Sequence, residues 1–456
     1  MTTLIICVFI IGYLAITLEH NLKLDKLIPA LAMMAITWAL VAFGVDGFEQ
    51  WFDSHEHKLV EGFVGQSHLD KMHLVENTLL HHLGKTAEIL FFLMGAMTIV
   101  EIIDYFDGFA TFKSYIKTRK KSKLLWIFAF LAFILSAIID NLTATIVLIS
   151  ILQKIIDDKN TRLWFAGLII VAANAGGAWS PIGDVTTTML WIGGKVTTLY
   201  LLKFLLIPSL LTMIVPTLIA SYLPAFKGDI EPIEDDKEKS NKYGPTMLYL
   251  GLAGIIFVPI FKTITHLPPY VGMMLSLSVV CIFAEIYSRS KFSMSHVTDA
   301  EGDDSHGNHS PVHQSLSKIE MPSILFFFGI LMAVASLESL GLLFLGAQSL
   351  QEAIPNSDVV VMLLGLGSAV VDNVPLVAAS LGMFSETLDD QLWHFIAFAA
   401  GTGGSMLIIG SAAGVVAMGM EKIDFFWYFK KISWLALIGF LVGSGAFMLL
   451  RGFVIA

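Results

Sequence analysis

Charge is what this sequence has least of. Only 14% of its 456 residues are Asp, Glu, Lys or Arg, against about 25% in a soluble domain. Mean hydropathy is +0.74. Those values exclude a soluble globular chain and point to a polytopic membrane protein, with lipid as its first partner. Cysteine is also scarce. Cys7 and Cys281 are the only two, both in apolar runs, and they read as packing residues rather than a disulfide or a metal centre. There is no basic tail, and the net charge is −10, so no nucleic-acid partner is expected. No Lys or Arg precedes the run from Leu4 to Leu18, and no small-residue cleavage site follows it. That argues against a cleaved signal peptide.

What is present is a series of apolar runs near the 20 residues a membrane span needs. Thr3–Leu18, Leu27–Phe43 and Thr86–Ile103 come first. Asp107–Lys123 is basic and amphipathic, as expected of a helix on the membrane surface. Leu124–Ile156, Leu163–Ile192 and Thr198–Leu223 follow. The second half runs Pro245–Phe261, Tyr270–Tyr287, Pro322–Leu340, an interfacial Gly341–Ala353, Val359–Phe384, Leu392–Met420 and Ile432–Leu450. Polar stretches carry most of the histidines: His55 to His82 between the second and third runs, and His296 to His313 before Pro322.

Two apolar runs hold an acidic residue at their middle: Ile138-Ile139-Asp140-Asn141-Leu142-Thr143-Ala144-Thr145 and Val370-Val371-Asp372-Asn373-Val374-Pro375. A carboxylate at the bilayer centre costs about 3 kcal/mol on insertion scales, so two at matching places imply a use. Other segments match in the same order. Glu88 to Gly95 resembles Ser323 to Gly329, and Ala175 to Gly183 resembles Thr402 to Gly410. Three ordered matches indicate an internal duplication.

The expected fold is an all-α polytopic membrane protein of two inverted repeats. Each has about five transmembrane helices, a re-entrant hairpin and a broken helix. The first repeat covers 1–226, with its hairpin at about 124–156 and its broken helix at about 163–192. A cytoplasmic linker covers 227–243. The second repeat covers 244–456, with its hairpin at about 359–384 and its broken helix at about 392–420. Each Asp-Asn leaves hairpin arms of about 15 residues, too short to cross about 30 Å of hydrocarbon. An odd number of crossings inverts the second repeat. The Lys and Arg distribution places the linker inside, with both termini and the His55–His82 loop outside.

Each hairpin precedes a glycine-broken run: Asn174-Ala175-Gly176-Gly177-Ala178-Trp179-Ser180-Pro181-Ile182-Gly183-Asp184, and Gly401-Thr402-Gly403-Gly404-Ser405 with Gly410-Ser411. Irregular backbone survives at membrane depth only inside protein or along a cavity. Two broken helices and two hairpin tips make the midplane site of a secondary transporter. The side chains there suit a hard cation. Asp140, Asp184 and Asp372 offer carboxylates. Asn141, Asn174, Asn373, Thr143, Thr186, Thr187, Thr402, Ser405 and Ser411 offer neutral oxygens. No Lys or Arg lies in either tip or break. Na⁺ would be held through Asp140 and Asp372, where H⁺ competes with it for the carboxylate. Asp184 ranks third, as a residue nearer a cavity mouth.

Plainer readings stand beside these. Asp140, Asp372 and Asp184 also suit helix N-caps, Asn174 and Ser411 the satisfaction of broken backbone, and Thr186 and Thr187 helix packing. Glu88 and Glu101, near the two ends of the third run, are secondary candidates or snorkelling side chains. His81 and His82 are secondary candidates for pH sensing, or part of a solvated loop.

The Asp-Asn pair and the segment from Asn174 to Thr187 resemble NhaD-type sodium/proton antiporters of the ion transporter superfamily, over about Thr86 to Met420. The resemblance implies Na⁺ or Li⁺ exchange for H⁺, favoured at alkaline pH, and no cofactor beyond the transported ions. It implies a homodimer with a scaffold and an elevator-like transport domain, a multi-pass location in the bacterial inner membrane, and no enzyme activity. Dicarboxylate carriers of the superfamily show Ser-Asn-Thr where this chain has Asp-Asn. A Na⁺-coupled anion carrier is the alternative. An intramembrane aspartyl protease would use paired carboxylates, but the duplicated hairpins would then have no purpose. An ion channel would leave the broken helices unexplained.

Overall fold

A computed structural model describes residues 1–17, 22–53, 58–115, 118–230, 241–295, 310–370 and 373–455. Asp372, His55, His57, His296, His306 and His309 lie outside these residues.

The first part of the chain is built from α1 (Thr2–Thr17), α2 (Leu27–Gly44) and a long α3 (His68–Tyr105). The 38 residues of α3 reach about 57 Å at 1.5 Å per residue, well beyond a bilayer core. The helix therefore starts far earlier than Thr86, and His68, His73, His81 and His82 are helical rather than in a loop. Beside its start, Phe52–Asp53 and Lys58–Leu59 pair as a short antiparallel ribbon. Trp51, Phe63 and Val75 pack with Trp38 of α2 in a cluster of their own.

After the short α4 (Ala110–Tyr115) come α5 (Lys121–Ile139), α6 (Asn141–Gln153), α7 (Lys159–Gly177), α8 (Val185–Ile192) and α9 (Thr198–Ser221). The second half holds α10 (Gly244–Thr265), α11 (Pro269–Ser295), α12 (Pro311–Lys318), α13 (Met321–Ser339) and α14 (Leu342–Ala353). It closes with α15 (Ser357–Gly367), α16 (Asn373–Met383), α17 (Gln391–Gly403), α18 (Ala412–Glu421), α19 (Phe425–Lys431) and α20 (Ser433–Ile455). Among the described residues eight helices are long and apolar enough to cross a membrane: α2, α3, α5, α9, α10, α11, α13 and α20. The chain is a multi-pass integral membrane protein.

Asp140 separates α5 from α6, and α15 ends at Gly367 before α16 begins at Asn373. The arms differ from the expected length in one case. At 19 residues α5 is about 28 Å long and is itself a candidate span, because Lys121, Ser122 and Lys123 extend it. The arms α6, α15 and α16, of 13, 11 and 11 residues, are the short ones.

The two halves repeat their contacts. Ser136 and Ser368 each stand four positions before the acidic residue of their break (136 to 140, 368 to 372). Ser136 Oγ donates to the Ala173 carbonyl at 2.6 Å, and Ser368 Oγ to the Ala400 carbonyl at 3.1 Å. Gly176 approaches α5 so closely that a Cβ would sit 2.2 Å from the Phe133 carbonyl. Gly403 does the same against the Gly365 carbonyl of α15, at 2.1 Å. No side chain fits at either position, so the glycines let each broken helix lie against its hairpin arm.

Candidate cation site

Each break is made by its own residues. The backbone of Asp140 takes φ 82°, ψ 160°, a region that is essentially glycine's. Its carboxylate holds the turn: Oδ1 accepts from the Thr143 amide at 2.8 Å and Oδ2 from the Thr143 hydroxyl at 2.9 Å. That is an N-cap for α6. In the first broken helix, α7 stops at Gly177 and α8 restarts on Asp184, whose Oδ1 accepts from the Thr186 amide at 3.2 Å. In the second, α17 stops at Gly403 and α18 restarts on Ser411, whose Oγ accepts from the Gly414 amide at 3.2 Å. A carbonyl freed by this second break, that of Ser405, is met by the Tyr428 hydroxyl at 2.7 Å.

These termini converge on Asp184, which is 2% exposed. Its Oδ2 accepts from Asn141 Nδ2 at 3.3 Å and from Asn373 Nδ2 at 3.0 Å. The two asparagines come from opposite breaks, so one carboxylate ties the halves together. Asn141 Nδ2 also donates to Asn174 Oδ1 at 3.0 Å, and Asn174 Nδ2 donates to Ser411 Oγ at 3.1 Å and to the Ile170 carbonyl at 3.0 Å. The result is a buried chain of oxygen-bearing groups, Ser411–Asn174–Asn141–Asp184–Asn373. It joins five helices, α6, α7, α8, α16 and α18, and offers carboxylate, amide and hydroxyl oxygens of the kind alkali cations take.

Known proteins resemble this chain over most of its length. A family model described as CitMHS, citrate transporter, matches residues 13–394. Sodium/proton antiporter 1 of Arabidopsis thaliana is 41% identical over 96% of this chain and 71% of its own length. Sodium/proton antiporter 2 of the same plant is 38% identical over 98% of this chain and 99% of its own. The Na⁺/H⁺ antiporter NhaD of Vibrio cholerae is 31% identical over 97% and 91%. The chain belongs to the NhaD-type sodium/proton antiporter family. Members of this family are transporters, not enzymes. The fold is also that of the Alcanivorax borkumensis YdaH transporter, described as having an unusual topology. The match has a TM-score of 0.59 at 14% identity, over 94% of this chain and 98% of that one.

In this NhaD-type chain the expected site residues that are described fall into four groups. Asn141, Asn174, Asp184, Asn373 and Ser411 form the cluster. Thr186 and Thr187 lie beside it on the first turn of α8. The Thr187 hydroxyl is used locally, on the Asp184 carbonyl at 2.9 Å, whereas Thr186 Oγ1 is buried with no hydrogen-bond partner among the described residues. Thr402 and Ser405 serve their own helix: Thr402 Oγ donates to the Phe398 carbonyl at 2.6 Å and Ser405 Oγ to the Thr402 carbonyl at 2.7 Å. Asp140 and Thr143 bond each other and make no hydrogen bond to the cluster within the described geometry. Asp372 is outside the described residues. Among the carboxylates described, Asp184 rather than Asp140 occupies the centre.

Two cavities lie along α3. One, of about 200 Å³, is lined by Glu101, Asp104, Asp107, Glu320, Lys154 and Thr143. The other, of about 160 Å³, is lined by His81, His82, Lys85, Lys195, Glu338 and Met189. His82 and Glu101 are 19 residues apart on α3, about 28 Å along the helix, so the cavities lie against well-separated stretches of it, one in its middle and one near its C-terminal end. Three of the secondary candidates thus line cavities. Glu88 is half-buried between them on α3 and lines neither.

Other polar residues the sequence did not single out fasten the broken helices to each other. Arg162, at the start of α7, donates through Nε to both oxygens of Glu421 at 3.1 Å. Glu421 ends α18 and is 3% exposed. Asp389, just before α17, accepts from the Thr197 amide at 2.6 Å and its hydroxyl at 2.8 Å, beyond the end of α8. The first broken helix is therefore tied at its entry to the far end of the second, and the second at its entry to the turn that leads from α8 into α9. Nothing in the residue types at such separations could have signalled these pairs. Outside the spans, the Thr161 hydroxyl and amide hold the Asp158 carboxyl below the usual carboxylate range. Burial pushes the Lys195 ammonium down, against the pull of Glu386 and Glu338.

Proposed function

We propose that this chain exchanges Na⁺ or Li⁺ for H⁺, with Asp184 as the carboxylate for which cation and proton compete. The observation that carries this reading is the convergence of Asn141 and Asn373, one from each break, on a single buried carboxylate oxygen. A carboxylate at membrane depth is costly to keep charged, and a counter-charge lowers that cost. One positive charge, Na⁺ or H⁺, does that, and loading one releases the other. The relatives named as Na⁺/H⁺ antiporters support the same reaction. Asp372 stands at the matching break and joins Asp140 as a further contributor to the competition.

The movement is alternating access of an elevator-like kind. The hairpins and the broken helices α7, α8, α17 and α18, cross-tied by Arg162–Glu421 and Asp389–Thr197, travel as a unit. The site then meets the cavity at Glu101 in one state and that at His82 in the other. The protein works as a homodimer in a proton-energised bilayer, the inner membrane in a bacterium. The description of the matched family model favours one second reading, a Na⁺-coupled carboxylate carrier.

The test uses inverted vesicles from cells lacking their own antiporters, energised and followed with a pH-sensitive dye. Adding NaCl or LiCl collapses the gradient with the wild-type chain and not with Asp184→Asn at equal abundance. If Na⁺ and Li⁺ leave the wild-type gradient intact across pH 7 to 9, roughly the range above the histidine midpoint, exchange is ruled out. Uptake of labelled citrate, dependent on Na⁺, would then establish the carrier reading.

A further inference from the structure

The two broken helices align without a gap around their glycines, with Gly177 against Gly404 and Gly183 against Gly410. A Cβ on Gly177 would meet the Gly183 carbonyl at 2.4 Å, and one on Gly404 the Gly410 carbonyl at 2.6 Å, so the alignment holds in space. On that alignment Asp184 pairs with Ser411, and Asn174 pairs with Gly401. The first repeat fills its position with an amide. The second leaves it bare.

The bare position faces the carboxylate. A Cβ at Gly401 would lie 3.4 Å from Asp184 Oδ2 and 3.2 Å from the Ala178 Cβ. Asp184 Oδ2 is also the oxygen on which Asn141 and Asn373 converge. Two positions after Asp184, on the first turn of α8, Thr186 Oγ1 is fully buried with no hydrogen-bond partner among the described residues. A buried hydroxyl left unpaired in a native structure calls for an explanation, and an ion beside Asp184 supplies one. Gly401 has no positive φ, and glycine inside a helix weakens it relative to alanine. Backbone geometry therefore gives no reason for a glycine here, and the space beside Oδ2 does.

We propose that the bare face of Gly401 against Asp184 is the seat of the transported cation and sets how large an alkali ion it takes. The inference rests on the exchange reading above. A methyl group on Gly401 removes room directly beside Oδ2. The larger Na⁺ loses more than Li⁺, while the helix itself gains.

The experiment compares wild-type, Gly401→Ala and Gly419→Ala full-length protein in the vesicle assay, with NaCl and LiCl titrated separately. Gly419 lies on α18 with nothing within 4 Å of a Cβ, and controls for glycine replacement in a helix. Gly401→Ala should raise the half-saturating Na⁺ concentration about tenfold, the scale of one methyl group in a fitted pocket. The rise for Li⁺ should be smaller, and thermal stability unchanged or higher. Gly419→Ala should match wild type. Adding Ala178→Gly to Gly401→Ala removes the nearest packing contact and leaves the methyl beside Oδ2, so the same selective loss is expected there. This double variant gives the reading if the single one is not recovered folded. Half-saturating concentrations within twofold of wild type for both ions would overturn the proposal, as would equal losses for both. A wild-type chain with no Na⁺ or Li⁺ response would instead sink the exchange reading, a result distinct from either.

Discussion

Asn373 donates to Asp184 Oδ2 at 3.0 Å across 189 positions of sequence. Asn141 reaches the same oxygen from the other break at 3.3 Å, so a single carboxylate reports on the alignment of both halves. A hydrogen bond to a charged group contributes about 1.5–3 kcal/mol. Asn373→Ala should therefore raise the half-saturating Na⁺ concentration at least about tenfold, with normal protein abundance. Asn141→Ala breaks bonds to both Asn174 and Asp184 and should cost more. Ser411→Ala takes the acceptor from Asn174 and the N-cap from α18 but leaves both asparagine bonds to Asp184 in place, so it should cost least in Na⁺ affinity. Dye-monitored Na⁺ titrations of the three variants check that order, and an Asn373→Ala protein with wild-type affinity would remove Asn373 from the site.

The hairpin breaks and broken helices were legible because membrane depth makes each polar or glycine residue conspicuous. Asp140-Asn141 and Asn174 to Asp184 stand out in apolar runs for that reason. The ranking of the carboxylates was not legible. Spacing marks Asp140 and Asp184 equally, and only the turn at φ 82° decides that Asp140 folds back on Thr143 while Asp184 faces Asn141 and Asn373. The 19-residue arm α5 was also missed, since Lys121 and Lys123 read as the end of a surface segment rather than as the first turn of a helix. Cross-chain ties such as Arg162–Glu421, 259 positions apart, carry no local signal.

That tie makes its own prediction. Glu421 is buried, and its carboxylate faces the Arg162 guanidinium with both oxygens at 3.1 Å. Removing one partner of a buried pair leaves an uncompensated charge, at a cost of about 3–5 kcal/mol. Arg162→Ala should show that loss in thermal unfolding of purified protein. Glu421→Gln on the Arg162→Ala background should recover part of it, because the stranded charge is gone. Additive losses in the double variant would mean the two residues are not coupled.

Asp158 gives a pH-dependent expectation. Its carboxyl is held below the usual range, first by the Thr161 hydroxyl and then by the Thr161 amide, with hydrogen bonds of 2.5 and 2.9 Å. A depressed folded-state pKa adds stability that is complete above the unfolded value of about 3.9 and lost as pH falls through the folded one. Asp158→Ala removes an N-cap worth about 1 kcal/mol. The stability gap between wild type and Asp158→Ala should stay constant from about pH 5 to 8 and narrow only in stronger acid. A gap that changed across neutrality would assign the titration to another group.

Asp140 can be asked directly whether it caps, carries ions or does both. Its φ of 82° and ψ of 160° cost a side-chain-bearing residue about 1–3 kcal/mol, offset in part by the cap on Thr143. Asp140→Ala keeps the strained backbone and loses the cap, so it should unfold well below wild type. Asp140→Gly loses the cap, worth about 1 kcal/mol, but relieves the strain, so its stability should fall close to wild type. The glycine variant thus separates fold from transport. If Asp140→Gly is stable and still exchanges Na⁺, the carboxylate at this position serves the turn alone and Asp184 carries the ion. If it is stable and inactive, Asp140 belongs to the ion pathway, and the cavity that reaches Thr143 is the side from which the cation meets it. An Asp140→Gly protein as unstable as Asp140→Ala would show instead that the break is held by the carboxylate and not by its backbone.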